Sequence, residues 1–243
     1  MDRPFVLSIA GFDPSGGAGV LADCKTFENI GVQGMAVLTA NTIQTEDKFS
    51  HMDWMPIIIV QQGIRTLMSR YSIEVVKIGI VPNVAFLSAV LESVFACNPK
   101  AEVVWDPVLK SSTGYAFFSD QEITLLSDVL KSLTLITPNF NEYQILSQFF
   151  KVEDGCAVLL KGGHRLERLG VDSLLWNEKV IDFEPEIKRV YPKHGSGCVL
   201  SAAISAYLAK GLELTSACQQ AKVFTERFLN SHFSLLGSYE RTT

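Results

Sequence analysis

Short apolar runs alternate with helix-like stretches along this chain. Residues 5–10 form one such run, followed by a glycine-rich turn and a helical pattern through Asn29. Residues 34–38, 75–78, 102–105, 133–136 and 157–161 are further strand-like runs. Helical spacing covers residues 84–95, 120–131 and 142–149 between them. The alternation predicts an α/β fold with a mostly parallel sheet covered by helices on both faces. Two short runs flanking Asn177-Glu178, within residues 171–183, predict a β-hairpin. An amphipathic helix follows through Ala209, with Gly211 as its stop, and a last helix covers residues 216–230. No repeat, low-complexity tract or linker interrupts the pattern, so one domain over residues 1–243 is expected.

Composition narrows the class. With 243 residues, 47% of them hydrophobic, one domain can bury a large core without disulfides or metals. A net charge of −5 speaks against a nucleic-acid surface, which needs a basic face. It leaves room for an anionic ligand, because backbone N–H groups bind phosphate on acidic proteins too. Cys24, Cys97, Cys156, Cys198 and Cys218 are odd in number and lack metal-knuckle spacing. Without a signal peptide they are expected as free thiols in a reducing cytoplasm. No apolar run reaches the ~18 residues of a membrane span.

In open parallel sheets, ligands bind beyond the carboxyl ends of the strands. Five segments there carry chemistry. Gly11-Phe12-Asp13-Pro14-Ser15-Gly16-Gly17-Ala18-Gly19 follows the first strand; it reads as a ligand loop or as a flexible turn. Asp106-Pro107-Val108 offers a carboxylate for a metal or its waters, or an ordinary Asp-Pro turn. In Thr137-Pro138-Asn139-Phe140-Asn141-Glu142, Asn139 and Glu142 sit one helical turn apart. They suit Mg²⁺ or form a capping box. Lys161-Gly162-Gly163-His164 places a lysine at a strand end, either at phosphate or in solvent. His194-Gly195-Ser196-Gly197-Cys198 opens a helix, where backbone N–H groups can hold a transferring phosphoryl group. Cys198 lies in the first turn, where a thiol pKa is expected to fall. It is a candidate base, or a small buried residue at a tight helix start.

Taken in order, these segments resemble one family. Residues 8–19, with Ala22-Asp23-Cys24-Lys25-Thr26-Phe27, are similar to the amino-terminal signature of hydroxymethylpyrimidine/phosphomethylpyrimidine kinases. Further matches are residues 39–44, Lys77-Ile78-Gly79, the four later segments above, and Leu200-Ser201-Ala202-Ala203. The resemblance runs from about Phe5 to Lys222 and implies a ribokinase-like three-layer sandwich using ATP and Mg²⁺. The implied substrate is 4-amino-5-hydroxymethyl-2-methylpyrimidine, then its monophosphate, in thiamin biosynthesis. On matching positions, Asp23 and Gln44 would address the pyrimidine's polar edge, with Gly11, Ala18 and Ile80 lining its pocket. Gly195, Ser196 and Gly197 would form the anion hole and Cys198 would be the base. Asp106, Asn139 and Glu142 would organise Mg²⁺, mostly through water, and Lys161 would sit near the phosphates.

The chain departs from the family pattern at several places. Ile80-Val81 and Gly114-Tyr115-Ala116-Phe117-Phe118 differ from the usual residues, and Ser196 stands for threonine. Only residues 147–156 connect Leu146 to Ala157, so a covering helix is expected to be missing there. The carboxy-terminal residues 231–243 are short and match poorly. Two rival readings stand beside the first: a pyridoxal/pyridoxine kinase, and a non-catalytic ligand-binding homologue. A homodimer is expected, with the apolar residues 35–40 and 49–59 as candidate contacts.

Overall fold

In the computed structural model, which describes residues 3–109, 118–149, 151–164, 166–187 and 190–239, one sheet carries all the strands. The elements are β1 (Phe5–Phe12), α1 (Gly19–Ile30), β2 (Gln33–Gln44), β3 (Phe49–Trp54), α2 (Ile57–Arg70), β4 (Ile73–Ile78), α3 (Val84–Cys97) and β5 (Glu102–Trp105). They continue with α4 (Asp120–Leu130), β6 (Leu135–Ile136), α5 (Phe140–Leu146), β7 (Ala157–Leu160), β8 (Asp172–Trp176), β9 (Lys179–Phe183), α6 (Ser196–Ala209) and α7 (Leu214–Asn230). The strand order is β3-β2-β1-β4-β5-β6-β7-β8-β9. Strands β2, β1, β4, β5, β6 and β7 run parallel, and β3, β8 and β9 add antiparallel edges.

The continuous apolar runs follow from burial on both faces of the sheet. Val76, Val103 and Val158 enter one cluster with Val60, Ile64, Leu87 and Leu126 of α2, α3 and α4. Their neighbours Val75, Val104 and Leu159 enter the other with Phe27, Leu200, Ile204 and Ala217 of α1, α6 and α7. Period-two pleating sends adjacent side chains to opposite layers. Residues expected to form an amphipathic helix through Ala209 instead make α6, which is buried nearly all round between sheet, α1 and α7. Its Ser201 and Ser205 survive there by bonding back to the carbonyls of Gly197 and Ser201.

Several boundaries differ from the sequence expectation. Strand β2 runs on to Gln44, and β3 and α2 are elements the apolar pattern did not reveal. Strand β3 reads polar (FSHMDW) because it is an edge, and α2 buries only Val60 and Ile64. Helix α5 begins at Phe140 and stops at Leu146. The connection after it holds only a 3₁₀ turn, Val152–Asp154, so no α-helix is described between α5 and β7. The hairpin forms as expected, with Asn177 and Glu178 at φ 51° and 62°. Residues 114–117 of the departing Gly114-Tyr115-Ala116-Phe117-Phe118 stretch lie outside the described residues. Among the described residues no helix is long and apolar enough to cross a membrane.

Trp105 ends β5 fully buried; its indole N–H donates to the Gly79 carbonyl at 3.3 Å and its ring meets Phe118 edge-on. Trp105→Ala should cost about 3–5 kcal/mol by urea denaturation. A loss below about 1 kcal/mol would mean that the β4–β5 end tolerates a void.

Candidate active site

Strands β1 and β4 are neighbours, yet the chain leaves them toward opposite edges of the sheet. Their carboxyl ends therefore open a crevice. Two glycine turns meet over it. Gly19, at φ 59°, lies so close to β1 that a Cβ there would sit 2.1 Å from the Gly11 carbonyl oxygen. Gly195, at φ 75°, would bring a Cβ to 2.0 Å from the Gly17 carbonyl oxygen. Only glycine fits either position. Asp13 fastens the first turn: it accepts from the Ser15 N–H (2.9 Å), the Ser15 hydroxyl (2.9 Å) and the Ala18 N–H (2.8 Å), and pairs with His194 Nε2 at 2.9 Å.

Three cavities follow one another along this edge. The first, about 280 Å³, is lined by Gly11, Ala18, Gln44 and Ile80, with Phe49 and Met52 from β3, Lys77, and His194. The second, about 530 Å³, is lined by Asn139, Glu142, Lys161, Ser196 and Gly197. Asp106, Val108, Gly195 and Cys198 line both. The third, about 220 Å³, shares Lys161, Ser196 and Gly197 with the second and is walled by Leu169, Pro185, Ile187 and Val190. Asp23 is the expected site residue that does not line a cavity. It is fully buried behind the wall, accepting from the Ser8 hydroxyl at 2.5 Å and from Lys77 Nζ at 2.9 Å. Lys77 carries that pair to the cavity surface.

Charge concentrates where the first two cavities join. Asp106 Oδ1 accepts from Lys161 Nζ at 2.8 Å and from the Thr137 hydroxyl at 3.0 Å. Burial opposes ionisation of Asp106, but Lys161, Lys77 and Thr137 outweigh it and hold its pKa below the usual range. Helix α6 starts without a side-chain cap, and its Ser196 N–H makes only a long bond, 3.5 Å, to the Lys193 carbonyl, so this terminus can still turn N–H groups to an anion.

The family model for phosphomethylpyrimidine kinase matches residues 13–242. The chain belongs to the phosphomethylpyrimidine kinase family. It is 36% identical to a hydroxymethylpyrimidine/phosphomethylpyrimidine kinase of Aquifex aeolicus over 93% of this chain and 94% of that protein. Among solved structures it is similar to phosphomethylpyrimidine kinase of Clostridium difficile 630, with TM-score 0.76 and 31% identity over 92% of this chain and 98% of that one. A pyridoxal kinase of Staphylococcus aureus in complex with AMP-PCP superposes with TM-score 0.83 at 26% identity, covering 95% and 89% of the two chains. The ribokinase-like fold expected from the motifs is thus the fold of the chain. The match reaches well past Lys222, so the carboxy-terminal segment belongs to the family pattern after all. That segment is built in: the Leu235 carbonyl accepts the His194 N–H at 2.9 Å, and the Tyr239 hydroxyl donates to the Ala22 carbonyl at 3.3 Å.

The capping box at α5 is real. The Asn139 N–H donates to Glu142 Oε2 at 2.7 Å and the Glu142 N–H to Asn139 Oδ1 at 3.0 Å. Both side chains nevertheless line the second cavity. Burial, with Asp106 nearby, lifts the Glu142 pKa to about 7 against the pull of Lys161. The expected depression of the Cys198 pKa is overturned. Burial raises it, and the carboxylates of Asp23 and Asp106 add to the rise, while Lys77 and the Gly19 N–H work the other way. The helix terminus is too weak to compensate for lost hydration. Phe49, Met52, Asp13 and His194 are site residues that motif reading did not assign. Asp13 and His194 stood inside quoted motifs; β3 gave no signal.

Alkylation requires thiolate, so iodoacetamide should label exposed Cys97 well before Cys198 at pH 7.5, as read by peptide mass spectrometry. Cys198 labelling should accelerate only above the ordinary thiol range. Faster labelling of Cys198 than Cys97 at neutral pH would contradict its raised pKa.

Proposed function

We infer that the protein transfers the γ-phosphoryl group of ATP to the 5-hydroxymethyl group of 4-amino-5-hydroxymethyl-2-methylpyrimidine, and then to the resulting monophosphate, in thiamin biosynthesis. The observation that carries this reading is the shared lining of the first two cavities. Asp106, Val108, Gly195 and Cys198 belong to both, so a group bound in one meets a group bound in the other there. The first cavity suits a small flat heteroaromatic: apolar walls from Gly11, Ala18, Phe49, Met52 and Ile80, and a polar edge from Gln44. Asp23 acts on that ring through Lys77. The second cavity takes the triphosphate, with Lys161 and the turn of Gly195, Ser196 and Gly197 as donors. The third, with its apolar walls, takes the nucleoside.

Mg²⁺ fits this donor set in one way. Among the described residues no cluster of three His, Cys, Asp or Glu could hold a metal by itself. Asp106 and Glu142, with Asn139 on the rim, would hold it through waters while the phosphates supply direct ligands, as Mg²⁺ prefers. When bound it neutralises charge on the phosphate oxygens. Lys161 stays protonated and serves the phosphates in the same way, because Asp106 and Glu142 more than offset the burial that opposes its charge.

Cys198 stands at the reacting hydroxyl. Half-buried and with its pKa raised, it holds that hydroxyl in line rather than stripping its proton in advance. A loose phosphoryl-transfer transition state asks little of a base. The superposition with pyridoxal kinase motivates one alternative acceptor, pyridoxal, which also carries a hydroxymethyl group on a flat ring. A homodimer would use the exposed Ile43, Ile58 and Ile59 at the β2–α2 edge.

Coupled ATP turnover with Mg²⁺ should proceed on the pyrimidine and its monophosphate in preference to pyridoxal, and Cys198→Ala should lower kcat by about 10- to 100-fold through lost positioning without abolishing it. Turnover on pyridoxal alone would replace the substrate; tight pyrimidine binding without ATP consumption would favour a binding protein. Sedimentation at micromolar concentration should show a dimer that Ile58→Glu dissociates, and a monomeric wild type would remove the dimer.

A further inference from the structure

Asp13 and His194 are 181 positions apart in sequence, yet Nε2 of His194 lies 2.9 Å from Asp13 Oδ2. Asp13 is 1% exposed and is the hub of the first glycine turn, bound by Ser15 and Ala18. Ala18 walls the first cavity. His194 directly precedes Gly195, the residue that begins the phosphate turn. The Leu235 carbonyl holds His194 by its backbone N–H, and its ring packs so tightly on Gly17 that a Cβ there would meet Cδ2 at 2.7 Å. One side-chain hydrogen bond thus ties the wall of the acceptor cavity to the start of the phosphate turn.

We propose that His194, through Asp13, is a positioning residue that keeps the Gly195–Gly197 phosphate turn in register with the acceptor wall at Gly11 and Ala18. The two turns touch through backbone at Gly17 and Gly195, but that contact limits only their closest approach. Sliding along each other is opposed by a directional bond, and His194–Asp13 supplies it. Burial works against the charge on Asp13, yet His194, Ser15 and Ala18 hold its pKa below the ordinary carboxylate value. The acceptor of the bond is therefore a carboxylate across the neutral range. In-line transfer depends on the distance between hydroxyl and γ-phosphorus, so loss of register acts on kcat more than on ring binding. The inference rests on the kinase reading above.

The test compares His194→Phe, which keeps a ring without the donor, with His194→Gln, whose amide N–H can reach the same oxygen. His194→Phe should lower kcat by about 10- to 100-fold while the pyrimidine KM stays within about threefold. His194→Gln should recover kcat to within about fivefold of wild type. Binding of a non-hydrolysable ATP analogue, measured by calorimetry, should weaken in the Phe variant and return in the Gln variant. Wild-type kcat in His194→Phe, or equal losses in both variants, would overturn the proposal. If His194→Phe fails to fold by circular dichroism, His194→Asn replaces it, since its shorter amide falls short of Asp13, and the same comparison decides. Absence of wild-type turnover on the pyrimidine would strike the functional reading, while analogue binding would still judge the positioning role.

Discussion

The approach of Gly195 to the Gly17 carbonyl constrains the whole active edge. A Cβ would lie 2.0 Å from that oxygen, so the two turns can meet only as bare backbone. Because the first turn ends β1 and the second opens α6, their contact fixes where helix α6 enters the molecule. Helix α6 is in turn the centre of its layer, packed on α1, α7 and three strands. The core and the Gly195–Gly197 turn are thus set by one geometry. A substitution at the turn would be felt as displacement of a buried helix, not as a local surface change.

Two ammonium–carboxylate pairs define the electrostatics beneath that contact. Lys77–Asp23 is fully buried and Lys161–Asp106 nearly so. Each pair is close to neutral overall, which makes burial tolerable. Each also presents its lysine to a cavity. On the proposed reading, incoming phosphate oxygens would find the Lys161 ammonium already oriented by Asp106 and in need of little reorganisation. A cation held against a carboxylate at a cavity is compatible with a polyanionic ligand even in a chain of net charge −5. The reluctant thiol of Cys198 owes its raised pKa first to lost hydration, with Asp23 and Asp106 adding to the rise against the pull of Lys77.

Most inner strands were legible because burial on both faces leaves uninterrupted apolar runs. The turns were legible because glycine, Asp and Asn mark strand ends, though each of these types serves ordinary turns and caps as readily as ligands. What escaped the sequence lies at the edge. Strand β3 alternates polar and apolar residues too weakly to stand out, and α2 begins with Ile57, Ile58 and Ile59, which read as strand. Phe49 and Met52 of the acceptor cavity were lost with β3. The depth of Asp23 was hidden for a different reason. A motif shows which residue types occur together, but its placement behind Lys77 depends on α1 turning Asp23 inward. The thiol failed similarly: its first-turn position was visible, but not the desolvation and the neighbouring Asp23 and Asp106 that raise its pKa.

The shortened connection between α5 and β7 shows how well the site is insulated. Lys161 must be held at the end of β7, and β7 is fixed by β6 on one side and β8 on the other. Lys161 itself takes the Pro138 carbonyl through its N–H at 3.0 Å, which ties it to the segment that carries Asn139. None of these restraints passes through residues 147–156. The short connection still fills its part of the core, because Val152 is fully buried and the Tyr143 hydroxyl donates to Glu153 across it. Near this margin of the sheet, Phe149 lies at the surface. A sheet pinned strand to strand holds Lys161 in place without help from residues 147–156, so the short connection does not argue for a decayed enzyme.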